Sequence, residues 1–457
     1  MKLSLFASAL MVASLAQAKP FSYQDPKNEM APLYISPETE VISNSYIVIL
    51  KNNLQTHQIQ EHAAWISTLT QKSNGRYRLS DYLDPHTATA GIQHVYDTPK
   101  LKGYSGRFDD HVLDAIRQSD DVAFVEHDSM VYANELQRNA PWGLARVSHP
   151  DPLTFKNYQK YEHDPNGGEG VKVYVIDTGI NIDHIDFEGR ASWGQTVPAG
   201  DRDEDGNGHG SHCSGTIAGK RYGIAKKAQP VAVKVLRSNG SGSMSDVVRG
   251  VDWATTEHIK DASVARKTND KKFKGSVANM SLGGGKSPSL DLAVNGAVES
   301  GLVFAVAAGN DNRDACDYSP AAAELAITVG ASTIADERAY FSNYGPCVDV
   351  FAPGLNILSV WKGSRWATNT ISGTSMASPH VAGLAAYFLS QEDGPVSPKY
   401  IKDKILRLAI KDALDKIPDD TPNLLINNGV NEKDFKDTAI DTVEGADGVL
   451  KKFFGDI

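Results

Sequence analysis

Three short segments carry side chains suited to covalent chemistry. Val171-Lys172-Val173-Tyr174-Val175-Ile176-Asp177-Thr178-Gly179 is a strand-like apolar run that ends in a carboxylate and then a glycine. In parallel sheets the C-terminal strand edge is where sites form, so Asp177 stands where chemistry usually happens; taken alone it would serve as well to cap a turn. In Asp205-Gly206-Asn207-Gly208-His209-Gly210-Ser211-His212-Cys213 a glycine-rich turn delivers His209 to the start of a small-residue helix. Imidazole titrates nearest neutrality and suits a general base. His212 reads as a structural hydrogen-bonding residue. In Ser372-Gly373-Thr374-Ser375-Met376-Ala377-Ser378-Pro379-His380, Gly373 permits a tight turn. Pro379 is tolerated only near a helix start, so Ser375 lies at or just before a helix N-terminus, among oriented N–H groups. An isolated serine there is more simply an N-cap. Together the three supply a carboxylate, an imidazole 32 residues on and a hydroxyl 166 residues further. That set can activate a hydroxyl, which is a poor nucleophile without an adjacent base.

These residues need a scaffold that brings strand and helix ends together. From 135 to 428, apolar runs (Val171 to Ile176, Val231 to Leu236, Val277 to Ser281, Leu302 to Ala307) alternate with helical segments. Strands apolar on both faces and separated by helices predict an α/β fold, a parallel sheet covered by helices on both faces. Before it, residues 19–134 form a different region, with a loose leader and a compact α+β module from about 45. Ser45 to Leu50 predicts a strand, His62 to Leu69 a helix and Tyr104 to Phe108 an extended stretch. Asp109-Asp110 open a second helix, and Val122 to Glu126 is a last strand. Residues 1–18 have a basic Lys2, an apolar stretch from Leu3 to Leu15 and a small-x-small end at Ala16-Gln17-Ala18, the pattern of a secretory signal. Residues 429–457 read as a tail.

Composition narrows the function. The chain has 457 residues, 41% hydrophobic and 22% charged, with a formal net charge of −10, which speaks against a nucleic-acid partner. No apolar run is long enough for a membrane span. Three cysteines leave at least one thiol unpaired in a monomer.

The order Asp, His, Ser is the one found in subtilisin. With these motifs the chain resembles the subtilisin-like serine proteases, in their proteinase K branch. Asn139-Ala140-Pro141-Trp142-Gly143-Leu144-Ala145-Arg146 and Asp186-Phe187-Glu188-Gly189-Arg190 are similar to the fungal vacuolar proteinase B (cerevisin) group. The resemblance covers about residues 45–428. It implies a serine endopeptidase with Asp177, His209 and Ser375 as its triad and Asn310, at the end of Val303 to Gly309, as oxyanion donor. It implies two backbone walls for an extended polypeptide substrate, Gly240, Ser241 and Gly242 on one side and Ser281, Leu282, Gly283 and Gly284 on the other. The small residues Ala307, Ala308 and Gly309 leave room for a large P1 side chain. No wall position is acidic, so broad cleavage after apolar or aromatic residues is expected.

The same resemblance implies that the α+β module is the enzyme's own inhibitor, removed by autocatalytic cleavage near Tyr132 to Glu135. It implies a Cys316–Cys347 bridge, whose closure of about 30 residues would contribute roughly 3–4 kcal/mol, and a free thiol at Cys213 under the catalytic histidine. Catalysis would need no cofactor, although a structural calcium is expected as an option at Asp349 with the Glu324 and Ala326 carbonyls. Asp201 to Gly206 copies the start of an EF-hand loop, but His212 stands where the closing Glu belongs. Asn239 and Asn279 satisfy the glycosylation sequon. A monomer in the vacuole lumen, in preference to an extracellular enzyme, is the expected end state. The competing readings are a catalytically silent binding protein of the same fold and a metal hydrolase using His209, His212 and Cys213.

Overall fold

The structure is a computed structural model that describes residues 30–34, 41–73, 91–98, 101–129 and 135–430. The signal (1–18), all but Glu135 of the expected cleavage region Tyr132 to Glu135, and the tail beyond 430 lie outside the described residues. By internal contacts the chain divides into two compact units, Met1–Tyr132 and Ala133–Ile457.

The first unit has strands β1 (Leu33–Tyr34), β2 (Val41–Leu50), β3 (Gly91–Asp97), β4 (Lys102–Arg107) and β5 (Val122–Ser129), with helices α1 (Thr56–Ser73) and α2 (Asp110–Arg117). The sheet order is β1-β5-β2-β4-β3, with β2 antiparallel to both β4 and β5. Val48, Tyr104 and Val125 meet Ile59, Ile66, Val112 and Ile116 of the helices in one core. The Asp109 carboxylate accepts from the Val112 N–H at 2.8 Å and so starts α2 where the acid pair placed it. Strand β3 was not foreseen, because Gly91-Ile92-Gln93-His94-Val95 is mostly exposed and has little apolar signal.

The second unit runs β6 (Glu135–Arg138), α3 (Trp142–Ser148), β7 (Lys160–His163), β8 (Val171–Asp177), β9 (Ser192–Thr196), α4 (His209–Ala218), β10 (Gln229–Lys234), α5 (Met244–Thr268), β11 (Gly275–Met280), β12 (Gly284–Gly285), α6 (Pro288–Glu299) and β13 (Val303–Ala307). It continues through β14 (Tyr318–Ser319), β15 (Ile327–Ser332), β16 (Val350–Pro353), β17 (Ile357–Val360), β18 (Thr368–Ile371), α7 (Thr374–Gln391), α8 (Pro398–Leu408), β19 (Ile410–Lys411) and β20 (Leu424–Leu425). Nine strands form one sheet in the order β19-β20-β16-β15-β13-β11-β8-β10-β9, parallel except at β19.

Side chains alternate across a strand, and here both faces are covered. Val173 and Val175 join the core under α4 and α7, while Tyr174 and Ile176 join the core under α5 and α6. The same parity carries Asp177 to the α4 face and Asn279 to the α7 face, where its Oδ1 accepts from Ser378 Oγ at 2.9 Å. That asparagine is wholly buried, so its sequon is out of reach of a glycosyltransferase.

Helix α7 corrects one expectation. Pro379 does not sit near the helix start but inside an 18-residue helix, with most of the residues from Thr374 to Leu389 buried. An interior proline removes the N–H that would bond the carbonyl four residues back, here that of Ser375. Burial of the helix offsets the cost.

Cys316 and Cys347 are bonded, with Cα atoms 5.3 Å apart. Replacing both by serine is expected to lower stability by roughly 3–4 kcal/mol from loop entropy, readable as a lower denaturant midpoint. An unchanged midpoint would show that the bridge contributes no stability.

Candidate active site

Asp177 ends β8 fully buried. Both of its oxygens face Nδ1 of His209, at 2.8 and 3.0 Å. His209 is the first residue of α4. The start of that helix is held by a residue that motif reading placed in an abortive metal loop. The Asp205 carboxylate accepts from the Gly208 N–H at 2.8 Å, from the Ser211 N–H at 3.0 Å and from Ser211 Oγ at 2.6 Å. Thr178 Oγ1 donates to the same carboxylate at 2.9 Å and accepts from the Gly210 N–H. The segment around Asp205 is therefore a helix cap that locks α4 to the end of β8. At Gly210 a side chain would strike the Gly179 carbonyl, so only glycine allows this approach.

Ser375 is the second residue of α7 and partly exposed among buried neighbours. Its backbone N–H belongs to the first turn, where such groups lack helical partners. Its own carbonyl, freed by Pro379, accepts from Ser281 Oγ at 2.9 Å and from Cys213 Sγ at 3.4 Å. Its hydroxyl donates to the Ser281 carbonyl at 3.0 Å. Asn310 stands beside it, with its Oδ1 accepting from the Thr374 N–H at 2.8 Å and from Thr374 Oγ1 at 2.9 Å. With the oxygen so engaged, the amide nitrogen is the end left for a ligand.

Cys213, one helical turn after His209, is fully buried. Its sulfur lies 3.9 Å from Asp177 Oδ2 and 4.0 Å from His209 Nδ1. Asp177, His209 and Cys213 therefore offer three ligand-type atoms within 4.8 Å. The carboxylate and imidazole are already hydrogen-bonded to each other, and His212 turns away to bond the Ile357 carbonyl through Nε2 at 2.8 Å. The set does not match a catalytic zinc site, which leaves an open position on three converging ligands.

The histidines shift in opposite directions. Burial pushes His212 and His380 down to about 4, so both are neutral. Burial also opposes a charge on His209, but the Asp177 carboxylate outweighs it and holds the imidazole well above 6.5. The Cys213 thiol is pushed up by burial, so at neutral pH it is uncharged and adds little to that effect.

The expected substrate walls fall at the same end of the sheet. Gly240, Ser241 and Gly242 lie on an exposed loop, and Gly240 has φ of +83°. Ser281 to Gly284 follow β11, and Gly284 pairs with Ser319. Ala307 and Ala308 are buried at the end of β13, followed by Gly309 with φ of +106°.

A structural calcium is the expectation at Asp349. Its carboxylate and the Glu324 and Ala326 carbonyls converge on Nζ of Lys402, at 2.9, 3.2 and 2.7 Å. Two other groups escaped sequence reading: the Asp205 cap, and Lys234, fully buried with Nζ donating to the Thr178 and Leu236 carbonyls at 2.8 and 2.9 Å. A carboxylate three residues ahead of Gly208 was the available signal for the first; for the second there was none.

Residues 168–446 match the subtilase family model, and residues 45–134 match peptidase inhibitor I9. The chain belongs to the subtilase family. A subtilisin-like protease of Coccidioides posadasii is 56% identical over 438 residues, 92% of this chain and 88% of that one. The subtilisin-like serine protease Pen c 2 of Penicillium citrinum is 53% identical over 94% of this chain and 98% of its own length. Alkaline protease 2 of Aspergillus fumigatus is 52% identical, covering 94% and 90%. The crystal structure of a cold-adapted subtilisin-like serine proteinase superposes with a TM-score of 0.57 at 42% identity, over 64% of this chain and 98% of that one. This subtilase is accordingly a serine protease carrying an I9 inhibitor module.

The packing around Cys213 yields a test. A mercurial bound to its sulfur would displace the His209 ring, so mercury should inhibit this subtilase and leave a Cys213→Ala variant active. Equal sensitivity of both proteins would show that the thiol is not the target.

Proposed function

We propose that this protease is an endopeptidase acting through Asp177, His209 and Ser375, and that it is made as a zymogen. The observation that carries the reading is the paired Asp177–His209 contact, linked through Cys213 to a serine at the start of α7. The Ser375 hydroxyl swings from the Ser281 carbonyl toward Nε2 of His209 and attacks the scissile carbonyl as its proton passes to that nitrogen. Asp177 holds the Nδ1–H tautomer and stabilises the imidazolium. The oxyanion is met by the Asn310 amide, oriented by Thr374, and by the Ser375 N–H. Collapse sends the proton from Nε2 to the leaving amine, and water then hydrolyses the acyl-enzyme by the same route. No cofactor is needed for these steps.

The substrate is a polypeptide in extended form, paired by its main chain between Gly240–Gly242 and Ser281–Gly284. Ala307, Ala308 and Gly309 favour broad specificity with an apolar or aromatic P1 residue. The I9 match supports a module that inhibits its own enzyme until cleavage near Tyr132 to Glu135. The domain limits follow: signal to 18, propeptide to 134, peptidase from 135 to 428, then a tail. Entry to the secretory pathway rests on residues 1–18, and the vacuole lumen is preferred on the resemblance to the proteinase B group. No helix among the described residues is long and apolar enough to cross a membrane.

The test is a set of variants assayed on a peptide library. Ser375→Ala should abolish turnover and leave the precursor unprocessed; full maturation of that variant without another protease would falsify self-cleavage. Asn310→Ala should lower kcat by about 10²- to 10³-fold with KM little changed, a magnitude known from a bacterial subtilisin. Strict preference for Arg or Lys at P1 would overturn the specificity.

The pH profile follows from His209. The imidazole must be neutral to accept the proton, and Asp177 raises its pKa. Activity should therefore be lost on acidification through a value above 6.5, and kcat/KM measured against pH shows that limb. Asp177→Asn should move the limb downward and cut kcat by about 10⁴-fold. A limb that stays in place would exclude the pair as its origin.

A further inference from the structure

A charge cluster that the reaction does not use lies where the turn before β15, the residue before β16 and helix α8 come together. Glu324 and Ala326 present main-chain carbonyls there, and Asp349 presents its carboxylate. An ammonium has three N–H donors and no acceptor, so these three acceptors use all of its capacity. Asp349 is also held by the Thr328 N–H, which donates at 2.8 Å to Oδ2, the oxygen that the ammonium bonds as well. The lysine is fixed by its helix, since Ile401 and Ile405 on α8 are fully buried in the core. Only 18% of the Lys402 side chain and 23% of that of Asp349 remain exposed, so water competes weakly for the pair.

One carboxylate and two carbonyls are also the oxygen types that calcium takes, at about 2.3–2.6 Å and with six to eight ligands in all. Calcium at the centre of these oxygens would have to occupy the position of Nζ. We infer that the ammonium of Lys402 is the resident cation of this cage and does there the structural work of a bound calcium ion. A tethered cation cannot dissociate or be stripped by a chelator. The corner is thus stable at any calcium concentration, whereas a bound ion stabilises only by mass action. Removing the ammonium while keeping the oxygens leaves a cage open to a divalent ion.

The test uses the full chain in a Ser375→Ala background, which prevents self-digestion, with melting followed in millimolar calcium and in EGTA. Without Lys402 changed, any calcium response should be the same before and after Asp349→Asn. Lys402→Ala should melt roughly 5–10 °C lower in EGTA and regain at least half of the loss in calcium, saturably. Adding Asn at 349 to that variant should abolish the regain. A loss that no calcium concentration repairs would overturn the inference. Calorimetric titration of the chain with Lys402 intact provides a readout independent of whether Lys402→Ala folds. Calcium binding that Asp349→Asn removes would place the metal, not the lysine, in the cage.

Discussion

One backbone carbonyl, that of Ser375, organises the site. Pro379 denies it a helical partner, and the group is too deep to be left to water. Ser281 and Cys213 supply the missing donors, and they come from two different elements, the end of β11 and the catalytic face of α4. The carbonyl therefore ties the start of α7 to a predicted substrate wall and to the helix that bears His209. A regular helix would have satisfied the same oxygen internally and left these three elements to find their spacing by packing alone. The proline makes the helix depend on its surroundings, and so makes the position of Ser375 depend on Ser281 and on the helix that bears His209.

The electrostatics then single out one imidazole. His212 and His380 are buried without a carboxylate and are pushed down to about 4, and each makes a hydrogen bond to a backbone carbonyl. His209 is buried against Asp177 and moves the other way. Cys213 lies among the same groups yet is poorly placed for nucleophilic work. It approaches Nδ1, the nitrogen committed to Asp177, and burial keeps it as a thiol. Nucleophilic roles follow from which ring nitrogen a group faces, and the nitrogen that Cys213 approaches is already taken.

Much of this was legible in the sequence, for a physical reason. Strands buried on both faces leave long apolar runs, and the run from Val171 to Ile176 placed Asp177 at the C-terminal end of its strand. Turns needing glycine and helix starts needing a cap likewise leave marks at fixed offsets. What escaped has no such mark. The Lys402 cage joins a side chain to two carbonyls, and a carbonyl looks the same at every residue. The cap at Asp205 was visible but ambiguous, because the same carboxylate also fits a ligand position of the EF-hand-like start at Asp201 to Gly206. The interior position of Pro379 could not be read at all, since its tolerance depends on Ser281 and Cys213 being elsewhere in the chain.

The buried cations share one logic with the site. At the C-terminal edge of a parallel sheet, loops leave the strands and their carbonyls lose ladder partners. Lys234 closes two of them, at Thr178 and Leu236, directly behind the residue that follows Asp177. Arg146 bonds the His149 carbonyl and the Asp336 carboxylate, at 2.6 and 2.7 Å, and at the opposite edge, ahead of β15 and β16, Lys402 closes two more carbonyls. Each cation satisfies several acceptors from a fixed stem, so a loop is held without a long apolar segment of its own. That leaves the loop surface free to be small and glycine-rich where a peptide must approach. The rigidity that the proposed triad requires and the openness that the proposed substrate requires are both served by cations that hold carbonyls in place of apolar bulk.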